Sequence, residues 1–273
     1  MTGPEPERRL PASGGRASVP PLPRRAPALD DDARRTLGGA FASGGARYDA
    51  VRPAYPEQAV NFMIPPGARD GVDLGAGTGI LTAQAAARGL TLTAVDTSAD
   101  MLARLAEKLP GVRIVEARAE ATGLPSASTD VVLCAQAWHW LEPDAATREA
   151  LRLLRPGGTL ALVWNQLDVT VPWVHRLSRI MHAGDVHRPD FVPVTGPGLA
   201  GLESLQTRWE APATPEGLID LARSRSYYLR ASEAVRAKVE ANLEWYLHEH
   251  LGHAPGQPLL LPYYTHAWRG RAA

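Results

Sequence analysis

The chain has 273 residues, a length that suits one large α/β domain or two small ones. Lys and Arg together number 29 and so do Asp and Glu, so the formal net charge is zero and does not favour nucleic acid or an anionic membrane as a partner. The single cysteine, Cys134, excludes an internal disulfide, and no apolar run reaches the roughly 18 residues of a membrane span. Because the N-terminus also lacks the apolar region of a secretory signal, we expect a cytoplasmic protein.

The composition divides the chain near residue 38. Residues 1–37 are rich in Pro, Arg, Ala and Gly without hydrophobic periodicity, which predicts a disordered tail. We expect residues 38–273 to form one domain. Its predicted parts are a cofactor-binding core at 38–165, a helical substrate or lid region at 166–258 and a last strand at 259–273.

Short apolar runs alternate with helical patterns in the core. Strands are predicted at 71–74, 90–95, 112–116, 130–135 and 159–164, and helices at 80–88, 98–109 and 144–154. This alternation, with strands that read as continuous apolar runs, predicts an α/β fold with a doubly wound, mostly parallel sheet. Beyond residue 165 the pattern predicts helices at 173–182, 214–224 and 232–250, and strands at 202–210 and 259–268, the last weakened by Pro262.

A glycine loop follows the first predicted strand. Gly75, Gly77 and Gly79 have the spacing G-x-G-x-G, and Asp73 precedes them. The dinucleotide fingerprint needs its third glycine one position later, where this chain has Ile80. A carboxylate at the loop entrance suits a cationic ligand better than a pyrophosphate. The loop therefore favours S-adenosylmethionine, which has a sulfonium and an ammonium, over a bare strand-to-helix turn.

A second carboxylate, Asp96, ends the next predicted strand. It follows the first glycine by about 20 residues, where such a carboxylate typically accepts both ribose hydroxyls of a bound nucleoside. The alternative is an ordinary acidic residue at the start of the helix that Ser98 caps.

These motifs together resemble class I S-adenosylmethionine-dependent methyltransferases, of the kind called methyltransferase type 11. The resemblance covers residues 38–165 well and is looser beyond. It is carried by the segments 72–79 (VDLGAGTG), 118–120 (RAE) and 154–158 (LRPGG), with Asp96. Two further segments, 47–56 (RYDAVRPAYP) and 136–141 (QAWHWL), are similar to the trans-aconitate methyltransferase-like branch. In that branch an aromatic or aliphatic residue and then an aspartate often follow the His-Trp pair, whereas Leu141 and Glu142 follow here.

The resemblance implies a seven-stranded, Rossmann-like sheet with helical insertions, and a role for each matching residue. The three glycines and Ala76 would line the methionine part of the cofactor, with Asp73 near its ammonium and Gln136 near the chain or the sulfonium. Asp96 would hold the ribose. The remaining cofactor positions would be Thr97, Met101, Ala119 and Glu120, the last as a partner of the adenine amino group.

His139 is the residue best suited to act as a base, because it follows the fourth strand and its type titrates near neutral pH. The alternative is a histidine that caps the next helix or packs on the cofactor. Trp138 and Trp140 flank it and would either wall the acceptor pocket or pack in the core. Asn165 follows the fifth predicted strand and would also line the pocket.

Tyr48, Arg52 and Tyr55 precede the first strand, where an N-terminal helix can fold over the cofactor as a lid. The alternative is a segment that fastens a helix to the core and carries a surface arginine. The histidines of the C-terminal half have no recognised ligand spacing, so we expect no metal site.

The sequence thus predicts a methyltransferase that acts on a small molecule, with O-methylation of a carboxylate or hydroxyl preferred. Two rivals remain open. One is a non-catalytic or repurposed S-adenosylmethionine-binding protein, since Asp73 and Asp96 serve binding and not turnover. The other is a nucleotide-dependent oxidoreductase, which the glycine spacing disfavours. The sequence gives no oligomeric state.

Overall fold

The computed structural model describes residue 49, residues 51–182 and residues 190–272, so the predicted tail at 1–37 lies outside the described residues. Seven strands form one sheet. They are β1 Asp70–Leu74, β2 Thr91–Asp96, β3 Arg113–Glu116, β4 Thr129–Ala135, β5 Leu154–Leu167, β6 Leu199–Ala213 and β7 Leu259–Ala272. All five strands predicted in the core are present, within a few residues of their expected bounds.

The strands lie in the order β3-β2-β1-β4-β5-β7-β6. The first five run parallel, and β7 inserts antiparallel between β5 and β6. The order reverses between β1 and β4, and ligands of open α/β sheets bind at the carboxyl ends of the strands beside such a reversal. The predicted α/β class, the doubly wound sheet and its seven strands are confirmed.

Helices cover both faces of the sheet, because each face is apolar and must be buried. The helices are α1 Glu57–Met63, α2 Ile80–Ala86, α3 Ala99–Lys108, α4 Pro143–Leu153, α5 Pro172–Ile180, α6 Pro215–Arg223, α7 Ser226–Arg230 and α8 Glu233–Glu244. Helices α1 and α2 pack with Val131, Leu133 and Val163 on one face. Helix α4 packs with Val132, Leu160 and Leu162 on the other.

Local signals account for several helix ends. Ser98 caps α3 as predicted, since its hydroxyl accepts a hydrogen bond from the Met101 amide. Thr214 caps α6 in the same way through the Gly217 amide. Glu142 caps α4 with its carboxylate, and Pro143 occupies the first turn, where a missing N–H costs nothing.

The region after β5 differs from the prediction in the bounds of its elements. It contains the edge strand β6, which at 15 residues is longer than the expected segment 202–210. The single helix predicted at 232–250 is α8 followed by a π-helical turn, Trp245–His250, and the short α7 precedes it. These helices and α5 form a second apolar cluster against the ends of β5, β6 and β7, around Leu167, Ala211 and Tyr263.

Pro262 lies within β7 although proline disfavours an inner strand. Its position explains this, because the pairing of β7 with β5 ends at Tyr263 and Leu167. Beyond that point β7 has one neighbouring strand, β6, and Pro262 faces Glu210 in the register. In the part of the chain that the structure describes, no helix is long and apolar enough to cross a membrane.

The loop after β3 is fastened to α4 by a buried carboxylate. Glu149 accepts hydrogen bonds from the Thr122 amide at 2.8 Å and from its hydroxyl. Arg152 donates to the same carboxylate at 2.7 Å. These donors stabilise the charged form, chiefly through Arg152, and lower the pKa of Glu149 to about 2.

We expect Glu149→Ala to lower the free energy of unfolding at pH 7 by about 1–3 kcal/mol, because two buried donors of Thr122 lose their acceptor. The folded pKa lies below the unfolded one, so this stabilisation is complete above about pH 4.5 and is lost as the pH falls toward 2. Urea denaturation at several pH values measures it. Glu107→Ala, at an exposed position of α3, is the control. A Glu149→Ala deficit that does not shrink in acid would contradict the assignment.

Candidate active site

The glycine loop lies at the carboxyl end of β1, as the sequence predicts. Its first two amides, of Gly75 and Ala76, donate to the Val95 carbonyl of β2 at 2.8 and 3.0 Å. Gly75 has a φ of +69°, and a Cβ there would lie 2.5 Å from that of Ala137. Glycine is therefore required at Gly75 for both its backbone conformation and the close approach of the segment after β4.

Gly77 forms the tip of the loop and has different surroundings. Its φ is +55°, but a Cβ added there would meet no described atom within 4 Å. Its amide donates to the Asp96 carboxylate at 2.8 Å, and the other oxygen of that carboxylate accepts from the Ser98 amide at 2.9 Å. Asp96 therefore fixes the tip of the loop and the start of α3 to the end of β2.

Asp73 is almost fully buried beneath the loop, with 1% of its surface exposed. One carboxylate oxygen accepts from the Thr82 hydroxyl at 2.7 Å. The other has no hydrogen-bond partner among the residues that the structure describes. Burial raises the pKa of Asp73 to about 7, with a smaller upward contribution from Asp96 that the Thr82 hydrogen bond opposes. A buried carboxylate with one oxygen that accepts no hydrogen bond from a described residue is suited to a cationic ligand.

The residues expected around an adenine ring lie after β2 and β3. Thr97 is exposed, while Met101 and Ala119 are buried. Glu120 accepts from the Glu142 amide at 3.2 Å, and its other oxygen lies 3.4 Å from the Arg118 guanidinium. Its carboxylate therefore already joins the loop after β3 to the start of α4.

Gln136 directly follows β4 in a left-handed conformation, with a φ of +57°. Its side-chain amide donates to the backbone carbonyl of Asn165 at 2.7 Å, and this bond turns the Gln136 side chain toward β5. The side chain of Asn165 donates to the Ala54 carbonyl at 3.1 Å and accepts from the Thr265 hydroxyl at 2.6 Å. Asn165 thus connects three parts of the chain at the carboxyl edge of the sheet.

The Trp-His-Trp sequence forms a 3-10 turn just beyond β4. Trp138 is 3% exposed within the core cluster of α4, and its indole N–H donates to the Val194 carbonyl at 2.9 Å. This position matches the core-packing alternative rather than a pocket wall. His139 is half-buried, its Nδ1 accepts from the Trp164 indole at 3.2 Å, and its ring centroid lies 4.3 Å from that of Trp140.

The segment before α1 crosses the carboxyl edge of the sheet, and we call residues 51–56, together with Asp49, the strap. Asp49 accepts from the Thr78 hydroxyl of the glycine loop at 2.8 Å and from Lys108 at 2.5 Å. Arg52 donates to the hydroxyl and carbonyl of Ser224 after α6. The strap therefore joins the glycine loop to the C-terminal helices.

Among the residues of the predicted lid, Tyr55 has another position. Tyr55 is 8% exposed within the cluster of α1 and α2, and its backbone exchanges two hydrogen bonds with the Gln84 side chain. It therefore fits the alternative of a fastening to the core. Tyr48 lies outside the described residues. The sequence did not identify Asp49, Gln84 and Ser224 as site residues. Asp49 does belong to the segment 47–56, which carries part of the family resemblance.

We expect Asp73→Asn to stabilise the unliganded protein at neutral pH, because the neutral amide avoids a buried charge. The pKa of Asp73 is higher in the folded protein than in the unfolded chain. Its contribution to the free energy of unfolding is therefore fully present below about pH 4 and is lost as the pH rises through about 7. The excess stability of the variant should therefore grow between pH 4 and pH 7 and then stay constant. Chemical denaturation across this range measures it, with Asp190→Asn, at an exposed position, as the control. A pH-independent difference would contradict the burial argument.

The chain is similar to known methyltransferases. The family described as a methyltransferase domain matches residues 72–162. An uncharacterised methyltransferase of Mycobacterium tuberculosis is 40% identical over 233 residues, which are 85% of this chain and 95% of that protein. Another, of Schizosaccharomyces pombe, is 34% identical over 215 residues, 75% of this chain and 84% of that protein.

A solved structure gives the same result for the fold. It is described as a type II methyltransferase from Anaeromyxobacter dehalogenans, and it superimposes with a TM-score of 0.54 at 25% identity, covering 81% of this chain and 98% of that one. The narrower trans-aconitate branch stays a prediction. With the sheet order, the glycine loop and these relatives together, the chain belongs to the methyltransferase family and is a class I methyltransferase of the S-adenosylmethionine-dependent type.

Proposed function

We propose that this enzyme binds S-adenosylmethionine over the glycine loop and transfers its methyl group to an oxygen of a small molecule, either a carboxylate or a hydroxyl. The observation that carries the cofactor part is the tip of the loop. A Cβ on Gly77 would meet no described atom within 4 Å, while the amide of Gly77 donates to the Asp96 carboxylate and Asp73 is buried at the start of the same loop.

The chemistry of these residues fits the proposed cofactor. Its ammonium and sulfonium are cationic, and the unpartnered oxygen of Asp73 is a buried acceptor that a cation would stabilise. Asp96 already accepts two amide hydrogen bonds, but a carboxylate has about four lone-pair sites, so two remain for ribose hydroxyls. Two carboxylates beside the loop disfavour a pyrophosphate, which argues against the oxidoreductase alternative.

The roles of the site residues stay those that the sequence predicts. The donor's methionine part would lie against the loop and Gln136, its ribose at Asp96 and its adenine near the loop after β3. The full set proposed to hold the cofactor is Asp73, Gly75, Ala76, Gly77, Gly79, Asp96, Thr97, Met101, Ala119, Glu120 and Gln136. When bound, this cofactor supplies a methyl group that positive sulfur already activates. The chain's own contribution is to align the acceptor and to exclude water.

The acceptor would lie beyond the ends of β4 and β5. His139 and Trp140 border that region, and Arg52 and Asn165 on the strap side close it. His139 is the proposed catalytic residue that contacts the acceptor.

Isothermal titration with S-adenosylmethionine and with NADH tests the cofactor. We expect binding of the former, and tighter binding of NADH would contradict the proposal. Release of S-adenosylhomocysteine with a screen of carboxylic acids and phenols then tests turnover. Cofactor binding without turnover of any acceptor would favour the alternative of a repurposed binding protein.

We expect Gly77→Ala to fold but to bind S-adenosylmethionine at least about tenfold more weakly. The added methyl meets no described atom within 4 Å, and it would take up space that we propose for the cofactor. Gly89→Ala is the matched control, since Gly89 also has a positive φ, of +87°, and open surroundings, but lies outside the loop. Titration calorimetry gives the affinity and circular dichroism the fold. Equal affinities in the two variants would place the cofactor elsewhere.

The strap is proposed to act as a lid over the cofactor. We expect Asp49→Ala to increase the dissociation rate of S-adenosylmethionine about fivefold, which corresponds to the roughly 1 kcal/mol of one exposed ion pair and one hydrogen bond. Stopped-flow fluorescence measures the rate. Glu107→Ala changes an exposed carboxylate one residue from Lys108 and is the control. An unchanged rate would argue against a lid.

A further inference from the structure

The contact between Trp164 and His139 determines which nitrogen of the histidine carries a proton. Trp164 lies on β5, is 2% exposed, and its indole N–H donates to His139 Nδ1 at 3.2 Å. An indole nitrogen is a donor and never an acceptor. His139 Nδ1 must therefore present its lone pair to Trp164.

A neutral imidazole has one N–H, so the proton of His139 is on Nε2. The opposite tautomer would bring two N–H groups to face each other at the same 3.2 Å. It would also leave the indole N–H of Trp164, a side chain that is 2% exposed, without this acceptor. Trp140, whose ring centroid is 4.3 Å away, packs on the imidazole and limits its rotation.

We propose that Trp164 is a positioning residue that holds His139 in the Nε2–H tautomer, so that His139 acts on the acceptor as a hydrogen-bond donor and not as a base. The catalytic role of His139 in this proposal rests on the proposed function. The tautomer depends only on the geometry of the Trp164 and His139 rings. A histidine held in this way orients an oxygen through its N–H and removes no proton from it.

The consequence for the reaction is a preference among acceptors. An ionised oxygen attacks the methyl carbon with its lone pair, the bond from that carbon to sulfur breaks, and the electron pair of that bond stays on sulfur. No proton moves in this step. A hydroxyl acceptor must also lose its proton, which the Nε2–H tautomer cannot accept. Acceptors already ionised at the pH of the assay are therefore favoured over those that are not.

Nitrogen NMR of the protein labelled with ¹⁵N-histidine tests the tautomer without any acceptor. The two ring nitrogens have distinct shifts when protonated and when unprotonated. We expect an unprotonated Nδ1 and a protonated Nε2 for His139 at neutral pH, with His139→Gln providing the assignment. Observation of the Nδ1–H form would overturn the proposal. In Trp164→Phe, which keeps an aromatic ring and loses the N–H, we expect a mixture of tautomers.

The donor role of His139 is tested by kinetics with the first acceptor that the screen identifies. The Gln side chain offers an N–H near the position of Nε2 and no basic nitrogen. We therefore expect His139→Gln to stay within about tenfold of the wild-type kcat/KM, whereas His139→Ala falls about a hundredfold. Equal losses in both variants would show a base and overturn the donor role. If the screen finds no acceptor, the proposed function fails while the NMR result still decides the tautomer. Should Trp164→Phe not fold, the wild-type spectrum and the His139 pair remain sufficient.

Discussion

The carboxylate of Asp96 joins two backbone turns through the amides of Gly77 and Ser98, the first of which lies 19 residues before Asp96 and the second two residues after it. The site depends on this interaction. It sets the tip of the glycine loop against the end of β2, starts α3 beside it, and leaves lone pairs of the carboxylate for the proposed ligand. Without it, the amide of Gly77 would lose the hydrogen bond that holds the tip of the loop in place.

The sheet order brings the other parts of the site to this point. Because β1 and β4 are neighbours, the segments after them meet, and Gly75 lies against Ala137. Because β5 is the next strand, Asn165 can connect Gln136, the strap and β7. The extended ends of β6 and β7 and the second apolar cluster then hold the C-terminal helices at the same edge, where Arg52 reaches Ser224. The region at 166–258 therefore combines an edge strand with helices.

Most of the core could be predicted from sequence, since each parallel strand is a continuous apolar run and each helix has its own start signal. The C-terminal half was harder. A strand at the edge of the sheet has few buried side chains, so β6 gave a weak pattern and its length was underestimated. The π-helical turn after α8 has the same periodicity as a continuing helix over so short a distance. Pro262 is tolerated because β7 pairs only with β6 at that position, and the local sequence does not show which strands are neighbours.

The sequence by itself determined the methyltransferase fold, the glycine loop and the carboxylates of Asp73 and Asp96, because the spacing of these residues along β1 and β2 is a local property. Only the tertiary structure decided which side chains meet. It put Trp138 and Tyr55 in the core, joined Asp49 to Thr78, and set the indole of Trp164 against His139. Those pairings join residues far apart in the chain through packing and hydrogen bonds between elements, and no local pattern encodes them.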